Sequence, residues 1–553
     1  MAGEFAFSIS LSFAVLYLAV LLRGSETGRH RALGAVLFGL TILCHLIPAI
    51  FAAVATVVIV LVRREDRTPW WDGTIPGRCV GAGLVVLTLV VLVLAPGGFP
   101  VVATLVALAM LVGFDGRALR WAAVSAPVGF LIAGFWFVPF YLNSAFLNDM
   151  GWEKYTNYAQ YLWPQPDQFD MANRNLWFAL AGVGMVLSLV HRVRLGWFLT
   201  LTLVAFGWLF VFLPQYRLWN ARLLPFYYLA LYLLASLGVA LVIRSLAILA
   251  GRLTGASDEP WPVDVAGVLA VAVVALVYLM GSLQVLPGGT QGQRTLPDGE
   301  VAPTYEWGPL SFQDLNNAAN WARYNFAGLE DPAKAYAEFS AMVDMMTEVG
   351  EQNGCGRAMW EYESGLSRFG TPMAPMLLPY FTDRCIGSME GLYFEASSTT
   401  PFHFINQSEL SPAPSRPQRE LPYPPFDMNA GVRHLQLMGV RYYLASTDTA
   451  VDVARLHPDL TEIASTEEFT LADGSVRQWV VFEVADAPLV ESLEYLPVVL
   501  TPDRRPHRRV GVRRGAAGAD RDRPDAPQDS GTGDGLVSGS HPLGGAAGHI
   551  RPR

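Results

Sequence analysis

Residues 33–62 read LGAVLFGLTILCHLIPAIFAAVATVVIVLV, without one acidic or basic side chain apart from the imidazole of His45. A bilayer core of ~30 Å is crossed by about 20 apolar residues in a helix. As a single straight helix this stretch would reach about 45 Å. Pro48 also removes a backbone donor that a continuous helix needs. Two foldings compete: one long, tilted and kinked span, or a hairpin of two short helices that turns at residues 45–48. The choice sets the orientation of everything downstream.

Further apolar runs occupy residues 5–22, 80–94, 101–112, 121–142, 176–190, 195–213, 223–242 and 265–286. With the hairpin, Arg23, Arg29, Arg31, Arg63, Arg64, Arg67, Arg78, Arg117, Arg120, Arg192, Arg194, Arg244 and Arg252 fall on one side. Only Lys154, Arg174, Arg217 and Arg222 fall on the other. A single span would mix the two sets, so the positive-inside rule selects the hairpin. It places Met1 outside, the arginine-rich loops in the cytoplasm, and the chain after Leu286 outside. The run 5–22 follows Met1-Ala-Gly-Glu4, acidic where a cleaved signal is basic, and reads as an uncleaved outside-to-inside helix. Such a start commonly follows an earlier span, which suggests an upstream part.

The expected class is an α-helical polytopic membrane bundle (1–286), a mixed α/β extracytoplasmic domain (287–500) and a disordered tail (501–553). Overall, 52% of residues are hydrophobic and 16% charged, against about 25% charged in soluble proteins. Between 287 and 500 acidic side chains outnumber basic ones by more than two to one. That module lacks the basic surface that tracks nucleic-acid phosphates. Helical spacing marks 311–326 and 332–349; residues 358–362, 440–445 and 476–484 read as strands, with a turn at 472–474. The tail has too few aromatic and branched residues to build a core, and it resembles shifted-frame coding. Cys44 and Cys79 lie in or beside apolar runs and read as packing residues. Cys355 and Cys385 would be able to pair if the module faces an oxidising compartment.

Three outer pieces are candidates for function. The first is the start, with Glu4. The second is the loop 143–175, which carries Asp149, Glu153 and the aromatics Trp152, Tyr155, Tyr158, Tyr161 and Trp163. Such aromatics either settle at headgroup depth or bind lipid or sugar. The third surrounds Arg217, Trp219, Asn220 and Arg222. Its guanidinium groups either snorkel to headgroups or pair bidentately with phosphate. His45 is either a packed, hydrogen-bonded histidine or an intramembrane group facing a cavity. Trp360, Glu361, Tyr362, Glu363, Tyr380, Phe381, Phe402 and His403 line a carbohydrate groove or divide between core and solvent. No phosphate-cradling glycine loop and no metal motif with ligand spacing is found.

The stretches MAGEFAFSISLS (1–12), LCHLIP (43–48), WNARLLPF (219–226), RFGT (368–371), LPYF (378–381) and HLQLMGVRYY (434–443) resemble multi-pass membrane proteins of the "6-pyruvoyl-tetrahydropterin synthase-related" family. The likeness covers most of residues 1–500, although the zinc-binding histidines of a pterin synthase are missing. That architecture is similar to GT-C glycosyltransferases, which move a sugar from a polyprenyl-phosphate carrier outside the plasma membrane. The resemblance implies a cell-envelope enzyme whose partners are the bilayer, a polyprenyl-phosphate sugar and cell-wall glycan. It also leaves room for a divalent metal, with no site identified. Its early outer loop with the catalytic carboxylate has no counterpart, since this chain starts beyond that point. Arg217 or Arg222 would stabilise the departing lipid phosphate, and Glu4, Asp149 and Glu153 are candidates for acceptor contact. The rivals are a non-catalytic protein whose outer domain binds polysaccharide or a protein partner, and a transporter. A transporter would show paired broken helices in two related halves.

Overall fold

The computed structural model describes residues 5–62, 75–111, 113–144, 155, 157–164, 173–214, 219–254, 260–295, 301–312, 335–389, 400–417, 421–471 and 474–492. The expected tail, 501–553, lies outside the described residues. Among the described residues of the first half stand ten α-helices: α1 (Phe5–Thr27), α2 (Arg31–Cys44), α3 (Leu46–Leu61), α4 (Ile75–Leu94), α5 (Phe99–Met110), α6 (Gly116–Leu142), α7 (Arg174–Val190), α8 (Arg194–Phe212), α9 (Leu224–Thr254) and α10 (Pro260–Ser282). Stretches within α1, α6, α8, α9 and α10 are long and apolar enough to cross a membrane. The chain is therefore a membrane protein by length and composition. The arms α2 and α3, with 14 and 16 residues, reach only roughly 21 and 24 Å.

Hydrogen bonds fix the directions of these arms. Ser10 Oγ donates to the carbonyls of Thr41 and His45 at 2.8 and 3.1 Å, so the start of α1 lies beside the end of α2. The indole of Trp121 packs on both Gly24 and Gly34, joining the end of α1 to the start of α2. Thr56 Oγ1 donates to the Tyr17 hydroxyl at 3.1 Å, setting the middle of α3 against the middle of α1. Asp115 N donates to Val60 O at 2.7 Å, so α3 ends where α6 begins. The chain thus doubles back at His45. A second reversal follows at Pro96–Gly98, between α4 and α5.

The bundle has two unlike ends. One gathers Arg29, Arg31, Arg117, Arg192 and Arg194. There Asp115, its side chain 2% exposed, caps the α6 amides of Arg117 and Ala118 and pairs with Arg194 at 2.9 Å. The other end, here called the crown, gathers the starts of α1, α7 and α9, both reversals and the end of α10. Small residues allow close helix contact, as in membrane bundles generally. A Cβ on Gly184 of α7 would stand 2.2 Å from Leu234 O of α9, and one on Gly238 2.3 Å from Leu180 O.

From α10 the chain enters a three-stranded antiparallel sheet, β1 (Thr290–Thr295), β2 (Val301–Trp307) and β3 (Leu310–Phe312). The expectation of helix from residue 311 is corrected here. Gly308 at φ 57° makes a two-residue turn that pairs Trp307 with Leu310 and Tyr305 with Phe312. Alternate burial then overrides the helical spacing: Phe312 packs against Gly281 and Tyr278 of α10. Residues 313–326 lie outside the described set.

A five-stranded sheet of order β5-β4-β6-β10-β7 follows, from β4 (Gly356–Trp360), β5 (Ile386–Ser388), β6 (Tyr442–Ala445), β7 (Leu460–Ser465) and β10 (Val480–Val484). Strands β4, β5 and β6 run parallel, and β10 is antiparallel to β6 and β7. Between β7 and β10 lies the small hairpin β8 (Phe469–Thr470) and β9 (Val476–Arg477). Alternation assigns the two faces. Ala358, Trp360, Tyr442, Leu444 and Val481 meet Phe339, Met342 and Met346 of α11 (Tyr336–Asn353). Met359, Tyr443, Val480 and Phe482 meet Leu410 of α12 (Thr400–Leu410), Val432 of α13 (Met428–Leu437) and Ala450 of α14 (Asp448–Arg455). Both faces are covered, as in an α/β layer architecture.

Candidate functional site

The crown is built from helix ends whose orphan backbone groups are met by side chains. Helix α8 stops before Pro214, and Asn220 Nδ2 donates to its last carbonyls, Phe210 O at 3.2 Å and Leu213 O at 2.6 Å. This folds residues 220–223 back as a single turn leading into α9, with Pro225 in the first helical turn, where its missing donor costs nothing. Arg222 N bonds Trp219 O at 3.1 Å, and the Arg222 guanidinium lies 6.0 Å from the Trp219 ring centre. Asn220, 1% exposed, thus acts as a strut whose two N–H groups are both engaged by α8.

A second guanidinium–indole pair stands at the start of α7. Arg174 Nη1 donates to Pro164 O at 2.6 Å and its guanidinium lies 5.4 Å from the Trp163 ring. Trp163 itself packs against Phe178 and Phe99, at 4.1 and 6.1 Å between ring centres. The segment carrying it is strapped to α9: Tyr227 donates to Leu162 O at 3.0 Å and Tyr228 to Tyr161 O. Tyr155, Tyr158 and Tyr161 cluster over Phe210, with Tyr158 5.4 Å from it. The indole N–H groups of Trp163 and Trp219 are both buried and have no acceptor among the described residues. Buried donors are normally partnered. An oxygen-rich ligand would complete both, each beside a fixed positive charge.

His45 sits at the first reversal in extended conformation (φ −164°, ψ 132°). Its Nδ1 accepts from Ile47 N at 3.2 Å, capping α3, and Phe7 meets the ring edge-on at 5.4 Å. Pro48 falls in the first turn of α3, so it starts a helix and breaks none. Of the other candidates, Glu4, Asp149, Glu153 and Arg217 lie outside the described residues. Cys355 and Cys385, away from the crown, are joined in a disulfide with Cα atoms 4.6 Å apart.

The aromatic and acidic residues of the module form no common groove. Trp360, Glu361, Tyr362 and His403 are buried, whereas Tyr380, Phe381 and Phe402 are exposed. Glu361 accepts from the amides of Ser446 and Thr447, both at 2.9 Å, and from Thr447 Oγ1. Burial pushes its pKa up, partly opposed by these hydrogen bonds. Glu363 and Glu338 hold Arg368, and Glu338 also accepts from Trp479 Nε1 at 2.9 Å. Sequence reasoning did not find this network, because its members are far apart in the chain. Nor did it pair Arg174 with Trp163, although both stood in the loop it singled out. Among the described residues no group of three or more His, Cys, Asp or Glu is placed to hold a metal ion.

No family model, no curated protein and no solved structure matches the chain. The functional reading therefore rests on the crown itself.

Proposed function

We propose that the chain is a GT-C-like membrane glycosyltransferase of cell-envelope biosynthesis, using a polyprenyl-phosphate sugar at the extracytoplasmic face of the plasma membrane. The observation that carries this reading is the Arg222–Trp219 pair, a guanidinium beside a buried N–H that has no acceptor among the described residues. In the transfer, the acceptor oxygen bonds to the anomeric carbon as the bond from that carbon to phosphate oxygen breaks. The acceptor hydroxyl yields its proton to a base, for which Glu4, Asp149 and Glu153 are candidates. The leaving phosphate gains a negative charge, and donors already fixed beside it stabilise the transition state. Arg217 is a further cation the sequence puts at this end, beside Lys154 and Arg174. The arginine asymmetry supports an outer crown, and the Cys355–Cys385 disulfide fits an oxidising compartment.

The test is sugar transfer by the full chain in lipid nanodiscs from a polyprenyl-phosphate donor, comparing wild type with Arg222→Ala and Arg222→Lys. Loss of one fixed donor to a developing oxyanion lowers kcat by roughly 10²–10³-fold. Lysine, without the planar fork, should recover only part of that loss. Undiminished transfer by Arg222→Ala removes the residue from the mechanism. Glycan binding without transfer by wild type favours the non-catalytic envelope protein.

A further inference from the structure

The most exposed apolar side chains of the α/β module, those at least 75% exposed among the described residues, are not scattered. Strands β4, β5, β6 and β7 all point the same way, and β10 points against them. The segments that enter β5, β6 and β7, and the segment that leaves β10, therefore share one edge of the sheet. Tyr380 and Phe381 precede β5, Leu437 precedes β6, Leu456 precedes β7, and Leu489 and Val490 follow β10. Tyr380 is 77% exposed, Phe381 42%, Leu437 80%, Leu456 85%, Leu489 75% and Val490 86%. The row runs the full width of the five strands, from β5 at one margin to β7 at the other.

These tips are held rigidly. The disulfide joins the residue before Gly356 of β4 to the residue before Ile386 of β5. Arg357 Nη1 donates to Met438 O at 2.8 Å, Gln436 Nε2 to Ala485 O at 3.0 Å, and Ala485 N to Asp459 O at 2.9 Å. Each loop is thereby tied to its neighbour. Asp383, Arg384 and Asp486 also adopt positive φ (47°, 69° and 52°), a conformation that costs non-glycine residues energy and persists only where the surroundings impose it. Fixed loops that project large apolar side chains into water call for a covering surface.

We propose that this edge is a membrane-docking rim, on which the module rests against the leaflet on the crown side of the bilayer that its own helices span. Two features favour lipid over a protein partner. Exposures of 75–86% at five of the six positions describe separate projecting tips, which suit a fluid surface better than the close-packed, flat core of a protein interface. The chain also carries its bilayer with it: α10 runs directly into β1–β3, and Asn173 at the head of α7 exchanges two hydrogen bonds with the backbone of Ser311. A tethered module meets that leaflet at high effective concentration. Tyr380, 77% exposed, is the aromatic type that settles at headgroup depth. The inference stands independently of sugar transfer.

The test is spin-label accessibility in the full chain in phosphatidylglycerol–phosphatidylcholine nanodiscs. Cysteines replace Tyr380, Leu437, Leu489 or, as a control on the β8–β9 hairpin at the opposite edge, Val476, with Cys44 and Cys79 changed to serine. The rim labels should keep collisions with oxygen and lose those with water-soluble nickel chelate, whereas the Val476→Cys label keeps both. Rim labels open to nickel chelate overturn the proposal. So do rim labels shielded from both reagents, which signify a protein contact.

Discussion

Glu338→Gln tests whether the α11 face of the module depends on its buried ion network. Glu338 is 4% exposed at its side chain and Arg368 17%. Glu338 Oε1 accepts from Arg368 Nη2 at 2.6 Å and Trp479 Nε1 at 2.9 Å, and Oε2 accepts from Arg368 Nε at 2.8 Å. Every contact is a donor facing an oxygen, so whichever way a glutamine amide turns, its NH2 meets another N–H. Removing one partner of a buried pair costs about 3–5 kcal/mol, most of it the penalty on the charge left behind. Here Glu363 still holds Arg368 Nη1 at 2.6 Å, which places the expected cost near the lower bound, about 3 kcal/mol. Local opening of α11 then becomes more than about 100-fold more frequent. Hydrogen-exchange mass spectrometry on the full chain in nanodiscs, read on peptides within 338–349, measures this directly. Adding Arg368→Met should restore part of the protection, because no unpaired cation is then buried. Protection in Glu338→Gln within about threefold of wild type, a change the size of an ordinary surface substitution, would mean that the α11 face does not depend on this network.

Cys355→Ser opens a 30-residue loop, for which chain entropy gives about 3–4 kcal/mol of lost stability; thermal unfolding should show the same loss on adding a reductant to wild type, and no shift would remove the disulfide from the stability of the module. Glu361 has a folded pKa raised above the ordinary 4.5, chiefly by burial, so its favourable contribution is present below the unfolded pKa and lost as pH rises through the folded one. The stability of Glu361→Gln relative to wild type should therefore improve as pH rises from 4.5 through that value, and a pH-independent difference would contradict it. Asn173→Ala removes both bonds to Ser311, and faster amide exchange at β3 without change in β4 is the expected result.

What the sequence carried was periodicity and charge; what it hid was pairing across distance. The apolar runs marked the helices because burial in lipid or bundle demands nearly continuous apolar character, and His45–Pro48 marked the reversal because a proline in the first turn of a new helix costs nothing. The second reversal at Pro96–Gly98 was equally visible as a gap between two runs. The strands around Trp360, Tyr443 and Val481 were legible from their branched and aromatic content. Ser311 and Phe312 were misread, since their strand exists only because Phe312 has Gly281 and Tyr278 to pack on. At the crown, Arg222 and Trp219 are close in the chain and could be named together. Asn220 had the same neighbours and a different task, which only its bonds to Phe210 O and Leu213 O disclose.

The crown and the module belong to one side of the bundle by covalent and hydrogen-bonded connection, whichever way the bundle faces. α10 ends at the crown and β3 packs on that end, while Asn173 binds the same strand from α7. Orientation is a separate question, and two unrelated kinds of chemistry bear on it. Arg29, Arg31, Arg117, Arg120, Arg192 and Arg194 crowd the opposite end, where the insertion machinery retains positive charge. The disulfide belongs to a compartment that permits thiol oxidation. A cytoplasmic crown would have to violate both rules at once. An extracytoplasmic crown satisfies both, which is the orientation that the proposed sugar transfer requires of Arg222 and Trp219.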